Sequence, residues 1–252
     1  MKKKLICLLT ASALACSMAV AAVACGDDDG GGAKSEKIDS AAAWSAAFDH
    51  TGMDNGTVFQ AMRTTCNSSQ TEYIEYTYKF DGNKQQSIIG YFDAAVGSIV
   101  TREHYLKIEN DVCYSYEYDG VAEEWYLDIY AGGDPYSIHN RMNGYDSIIG
   151  DLTNTDKYLS DRYDEFEYDE SSGVYVLAFD ELRYEFENAE NPETYIYTNI
   201  NFTVFISGGK VTVGTLRYDT DGEEADERLT TEITFKLTDI SSTTVTLPNV
   251  EA

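Results

Sequence analysis

Proline is scarce in this sequence, three in 252 residues, and no low-complexity linker divides it. That argues against a string of domains on stiff spacers and for one domain. Basic residues are scarce too, with 18 Lys and Arg against 44 Asp and Glu and a net charge of −26. Binding a phosphate backbone needs a basic surface, so nucleic acid is excluded as a partner. Only three histidines occur, His50, His104 and His139, none at a His-x-x-x-His or Cys-His spacing; such spacing is what a zinc site uses. Gly-x-Ser-x-Gly, Gly-x-x-x-x-Gly-Lys and Gly-x-Gly-x-x-Gly are all absent, which removes the common routes to nucleophilic catalysis and nucleotide binding. With 44 acids, close carboxylate pairs arise by chance and carry no glycosidase signal. The expectation is a protein without catalytic residues, metal or cofactor.

One long apolar stretch is present, Leu5 to Val23, behind the basic start Met1-Lys2-Lys3-Lys4. It ends in Ala22-Val23-Ala24-Cys25-Gly26, a pattern that reads as a bacterial lipoprotein signal: small residues beside the cut, then a cysteine to carry lipid. Cleavage at a secretory site nearby and a retained transmembrane anchor are the competing readings, since the stretch approaches the roughly 20 residues that span a bilayer. Cys16 has a similar context but is followed by apolar residues to Val23, where a tether should begin. Residues 1–24 are therefore assigned to the signal and residues 25–37, rich in Gly and Asp, to a flexible tether. Removal of the signal takes three lysines and no acid, so the net charge falls to −29. The membrane becomes a partner through a lipid anchor at Cys25, with the domain, residues 38–252, on the extracytoplasmic face.

Two cysteines remain in that domain, Cys66 and Cys113. Alternation sets Cys113 beside Ser115 and Glu117, whereas Cys66 follows Val58, Met62 and Thr64. Two free thiols are expected, with a disulfide as the alternative. Asp219-Thr220-Asp221-Gly222-Glu223-Glu224 imitates the start of a calcium loop, but its Gly comes too early and no Glu holds the twelfth place. A solvated hairpin is the plainer assignment.

Along the domain, Asp39-Ser40 before Ala41 to Phe48 predicts an N-capped helix with Trp44, Ala47 and Phe48 on one face. Strands are predicted at 58–65, 72–80, 86–92, 99–109, 112–118 and 124–130, joined by short polar turns. Tyr145, Ile148, Ile149 and Leu152 recur at helical spacing, predicting one helix over 145–159 or two short ones around Asn154. Strands resume at 164–168, 174–179, 195–206, 210–218, 228–237 and 243–247, while 182–188 suits strand or helix equally. An aromatic-x-aromatic-Asp pattern at Tyr78 to Asp81, Tyr116 to Asp119 and Phe166 to Asp169 falls where strands enter turns, so it reads as hairpin-end chemistry and not as a repeat. The fold class is α+β: a large curved antiparallel β-sheet, a half-barrel, with an N-terminal helix and a central helix covering its concave face.

The lipobox, the Trp44-x-x-Ala47-Phe48 helix, the long meander, the segment Glu165 to Asp169 with Gly173-Val174-Tyr175, and the closing Ile233-Thr234-Phe235 before Val245-Thr246-Leu247-Pro248 together resemble Gram-positive surface lipoproteins. Their architecture is similar to the half-barrel of the LolA and LppX-like carriers. The resemblance implies an apolar cavity between sheet and helices that accepts acyl chains. Trp44, Phe48, Ile148, Ile149 and Leu152 are the candidate ligand-binding residues, and the same side chains could fill a solid core. The expected function is the binding of an apolar or amphiphilic ligand, such as a lipid. The alternative is a surface adhesion or interaction module in which exposed tyrosines recognise a wall polymer or another protein. Cys25→Ser tests the anchor: the variant is expected to lose incorporation of labelled lipid and to leave the membrane fraction, and retention of both would show that Cys25 is not the modified residue.

Overall fold

The computed structural model describes residues 34–67, 69–93, 97–119, 123–132, 136–153, 158–186, 193–221 and 228–250; within these, side chains at 69–71, 119, 147–153, 184–186 and 193 are outside the description. Cys25, the signal and the tether as far as residue 33 lie outside the described residues. No helix among the described residues is long and apolar enough to cross a membrane.

The first helix, α1 (Ala41–Phe48), begins as predicted: Ser40 is extended and its Oγ accepts from the Ala43 amide at 3.3 Å. That cap satisfies one of the amides a helix start leaves open. Eight residues are too few for a helix to persist in water by propensity alone, and burial of Trp44, Ala47 and Phe48 holds it in place. Six strands follow: β1 (Asn55–Cys66), β2 (Ser69–Asp81), β3 (Lys84–Asp93), β4 (Ser98–Glu109), β5 (Val112–Asp119) and β6 (Glu124–Ala131). After the helix α2 (Ile138–Thr153) come β7 (Glu167–Asp169), β8 (Val174–Phe186), β9 (Glu193–Ser207), β10 (Lys210–Asp221) and β11 (Arg228–Thr238).

All pairings are antiparallel and form one open sheet of 11 strands, in the order β6-β5-β4-β3-β2-β1-β11-β10-β9-β8-β7. Two meanders are thus joined where the first strand pairs with the last. The turns obey local chemistry. Asn110 and Asp111 both take positive φ, as do Gly208 and Gly209, which matches the two-residue turns whose twist suits a hairpin.

Directly paired residues share a face. The row Tyr175, Val204, Gly214, Phe235, Gln60 and Tyr76 therefore runs across six strands on one side. That side carries the core and both helices. Trp44 packs on Tyr175 at 5.0 Å between ring centroids, and Tyr145 of α2 packs on Phe235 at 5.4 Å.

Three elements depart from expectation, and one left open is decided. The central helix starts seven residues before the predicted 145, because Ile138, Met142 and Tyr145 form a buried stripe and Ser137 Oγ caps the Asn140 amide at 3.2 Å. The predicted strand over 164–168 is a 3-10 turn at Tyr163–Glu165, followed by the three-residue β7. A short terminal strand limits the unpaired edge open to another chain. Residues 182–186 extend β8 and so are strand. The predicted strand over 243–247 does not join the sheet. Both neighbours of β1 are taken, so this tail bonds to side chains instead: Asn55 holds the Thr243 amide and carbonyl at 3.0 and 2.9 Å, and Asp81 Oδ2 accepts from the Val245 amide at 3.1 Å.

Cys66 and Cys113 are not joined in a disulfide. They sit on β1 and β5, four strand spacings apart or about 19 Å, far beyond the roughly 7 Å Cα separation a disulfide tolerates.

Gly214 is the close-approach point of the core. A Cβ there would stand 2.6 Å from Tyr145 Cε1, so the aromatic ring of α2 rests where the sheet has no side chain. Gly214→Ala is expected to lift Tyr145 off the sheet and cost about 1–3 kcal/mol as overpacking, measured by chemical denaturation; an unchanged midpoint would mean that α2 is not docked through this contact.

Candidate functional site

The candidate residues of the N-terminal helix are packed into the core. Trp44 is fully buried, with ring centroids of Phe166, Phe48 and Tyr163 at 4.8, 5.3 and 6.1 Å, and its Nε1 donates to the Leu159 carbonyl at 2.9 Å. Phe48 is buried beside it. The backbone of Ile148, Ile149 and Leu152 continues α2, but their side chains lie outside the described residues. The structure thus joins Trp44 to Phe48 in a filled aromatic cluster.

Next to that cluster, the chain entering the domain is held by tyrosines. The Tyr175 hydroxyl accepts from the Ile38 amide at 2.5 Å, while Tyr163 and Tyr168 donate to the carbonyls of Ile38 and Ser35 at 3.2 and 3.1 Å. Ser35 also donates its amide to the Gly173 carbonyl at 2.7 Å and accepts the Ile206 amide on Oγ at 2.9 Å. Residues 34–37, assigned by composition to the tether, are in contact with the domain. A concavity of about 340 Å³ at this place is lined by Lys37, Ile38, Tyr163, Asp164, Phe166, Tyr168 and Tyr175.

The more apolar cleft lies under α2. It has a volume of about 320 Å³ and is floored by Gln60, Met62, Tyr76, Ile233 and Phe235 of β1, β2 and β11, with Asn140, Arg141, Gly144 and Tyr145 above. This size is at the lower end of small-molecule sites, about 300–1,000 Å³. Gln60 Nε2 donates to the Arg141 carbonyl at 3.2 Å and pins the helix to the strand. The Arg141 guanidinium carbon lies 3.7 Å from the ring centre of Tyr78 and 4.1 Å from that of Tyr136, a cation sandwiched between π faces. Burial lowers its pKa, partly offset by the surrounding tyrosines; an arginine so placed keeps its charge. Its buried Nε has no hydrogen-bond partner, and no carboxylate pairs with it among the described residues. At the other end Tyr145 is 3% exposed and its hydroxyl also lacks a partner; burial, then the nearby Asp146 charge, raise its pKa strongly. Among the residues that line this cleft, the sequence pattern pointed to none as ligand contacts. An Arg within the buried stripe Ile138, Met142, Tyr145 was the available signal.

The histidines fall in three separate places. His50 is fully buried, its ring nitrogens 2.7 Å from the Phe48 carbonyl and 3.0 Å from that of Val211; burial lowers its pKa. His139 stands near Thr51 and Asn143. His104 Nε2 is 2.8 Å from Ser115 Oγ, and Glu117 Oε1 approaches the same nitrogen at 3.9 Å. A nucleophile, base and acid would need the acid on the other ring nitrogen. No group of three metal-ligating side chains gathers among the described residues. Asp219 of the calcium-like stretch is committed to the sheet, accepting from Thr230 and Asn199 at 2.6 and 2.8 Å and pairing with Arg228 at 2.7 Å; 222–227 lie outside the described residues.

The opposite face of β3 to β6 carries aromatic side chains toward solvent. Trp125 contacts Tyr118 and Tyr105 at 5.4 and 5.3 Å, Phe92 pairs with Ile99, and Ile129 is 61% exposed.

No protein-family model matches this chain, and no curated relative matches it. Among solved structures it is similar to a DUF1329 family protein from Desulfovibrio piger, at 10% identity over 78% of this chain and 91% of that one, with a TM-score of 0.22. A porin-like protein from Bacteroides uniformis gives 7%, 73%, 97% and 0.25 for the same quantities. A LolA superfamily protein from Nitrosomonas europaea gives 10%, 76%, 90% and 0.21. Superpositions at this level do not establish a shared fold.

A buried hydroxyl without a partner costs about 1–3 kcal/mol. Tyr145→Phe is therefore expected to melt at or above the temperature of the parent protein; a clear loss of stability would show that the hydroxyl is satisfied in solution.

Proposed function

We propose that this protein is a non-enzymatic lipoprotein, anchored through Cys25 on the extracytoplasmic face of the membrane, that holds an apolar or amphiphilic ligand between sheet and α2. The cleft of about 320 Å³ over Met62, Tyr76, Ile233 and Phe235 is the observation that carries it. A half-barrel of the LolA-like kind is the architecture this function suits, because one sheet face and a short helix can then part around an acyl chain. The pattern Ala22 to Gly26 supports the anchor, and the tether lets the domain approach lipid without fixing its orientation. A second function, recognition of a wall polymer or protein, is favoured by the exposed Tyr118, Phe92, Ile99 and Ile129 around the half-buried Trp125, since apolar surface of this kind marks interaction sites.

The two separate in one preparation. Native mass spectrometry and organic extraction of the purified mature protein are expected to reveal a co-purifying amphiphile, lost when Met62→Trp fills the cleft and kept in Trp125→Ala. Absence of any such ligand, with wall-polymer capture abolished by Trp125→Ala, would replace the first function by the second.

A further inference from the structure

Resting on the reading of the cleft as a ligand site, we infer that its ligand is a single-chain amphiphile with an anionic head, a carboxylate, held by Arg141. In a chain with 44 acids, a half-buried arginine facing a largely apolar cleft has no carboxylate partner among the described residues. Its two faces are flanked by Tyr78 and Tyr136 and Tyr78 also hydrogen-bonds to it, so the planar fork is oriented and the rest of its terminal N–H edge is what remains to bind. The Nε–H is buried without a partner, so the terminal N–H groups of the fork are what an incoming carboxylate meets, in a charge-assisted contact. A buried cation without a counter-ion is unfavourable in the empty protein; the head group supplies the missing charge.

The rest of the cleft fits one chain. From Tyr78 on β2, beneath Arg141, to Gly214 on β10, beneath Tyr145, is three strand spacings, about 14 Å. Between them Met62, Ile233 and Phe235 offer apolar contact with no charged side chain on the floor. Two long chains do not fit in about 320 Å³, which separates a fatty-acid-like ligand from a two-chain phospholipid. The strongly negative protein repels anions at long range, and that repulsion is screened over about 8 Å at physiological ionic strength, whereas the contact with Arg141 is local.

The test compares decanoate, decanol and decyltrimethylammonium, below their micellar concentrations, by calorimetric titration into the delipidated mature protein at neutral pH. Decanoate is expected to bind about 10- to 100-fold more tightly than decanol, the worth of one charge-assisted hydrogen-bonded contact. Arg141→Gln is expected to erase that preference while leaving decanol within about twofold, and Arg141→Lys to restore part of it. Equal binding of decanoate and decanol, tightest binding of the cationic probe, or an unaltered preference in Arg141→Gln would overturn the head-group assignment and leave the cleft as a ligand site. Binding of none of the three would overturn the cleft itself. If Arg141→Gln fails to fold, the comparison of the three head groups on the parent protein decides alone.

Discussion

An antiparallel sheet of 11 strands has two faces to keep from aggregation, and among the described residues only two α-helices, of 8 and 16 residues, are available to cover one of them. The shortage of cover governs the rest of the molecule. Where α1 lands, Trp44 is fully buried among its aromatic neighbours. Where α2 lands, contact is made at separate points, with Tyr145 over Gly214, Arg141 over Tyr78 and Ile138 over Gly56. Gaps between such points are what a close-packed protein interior normally lacks. The cleft follows from a narrow helix on a wide sheet.

Stability and binding pull in different directions at this place. The hydroxyl of Tyr145 and the Nε of Arg141 are withdrawn from water without partners, each a cost to the empty fold. The aromatic cluster around Trp44, whose indole N–H is bonded to the Leu159 carbonyl, has no such defect. Beyond α2, β3 to β6 place polar groups on the same face, buried Gln85 with Ser87 at 3.0 Å and half-buried His104 with Ser115, and turn Trp125 and its neighbours outward on the other. This wing offers a surface in place of a core, the physical basis for considering a partner there.

Much of the fold was legible residue by residue. Alternation in Glu72 to Phe80 and in Cys113 to Tyr118 marked strands that the structure keeps, the second within a residue at its ends and the first starting three residues earlier, because side-chain direction in a strand is a local property. The three aromatic-x-aromatic-Asp segments do end strands, and Asp169 illustrates why: hydroxyls of Ser172 and Ser171 and a backbone amide hold its carboxyl down to about 2. Errors came where the backbone's partners are distant. Residues 243–247 have the alternation of a strand, but β1 has no free edge, so side chains of Asn55 and Asp81 take their backbone groups. The start of α2 was missed because Asn140 and Arg141 look like loop until Ile138, Met142 and Tyr145 are seen buried together.

The sequence by itself determined the acidic, proline-poor β-rich domain, its turns, the capped helix around Trp44 and the lipid-anchor pattern at Cys25, all of which depend on neighbours within a few residues. Only the tertiary structure decided that β1 pairs with β11, that Trp44 and Phe48 fill a core, and that Arg141, Met62 and Phe235 border a cleft. Periodicity says which side of a helix is apolar; it does not say which part of an 11-stranded face that side will meet, and contact between residues far apart in the chain is what separates a filled core from a space that can be occupied.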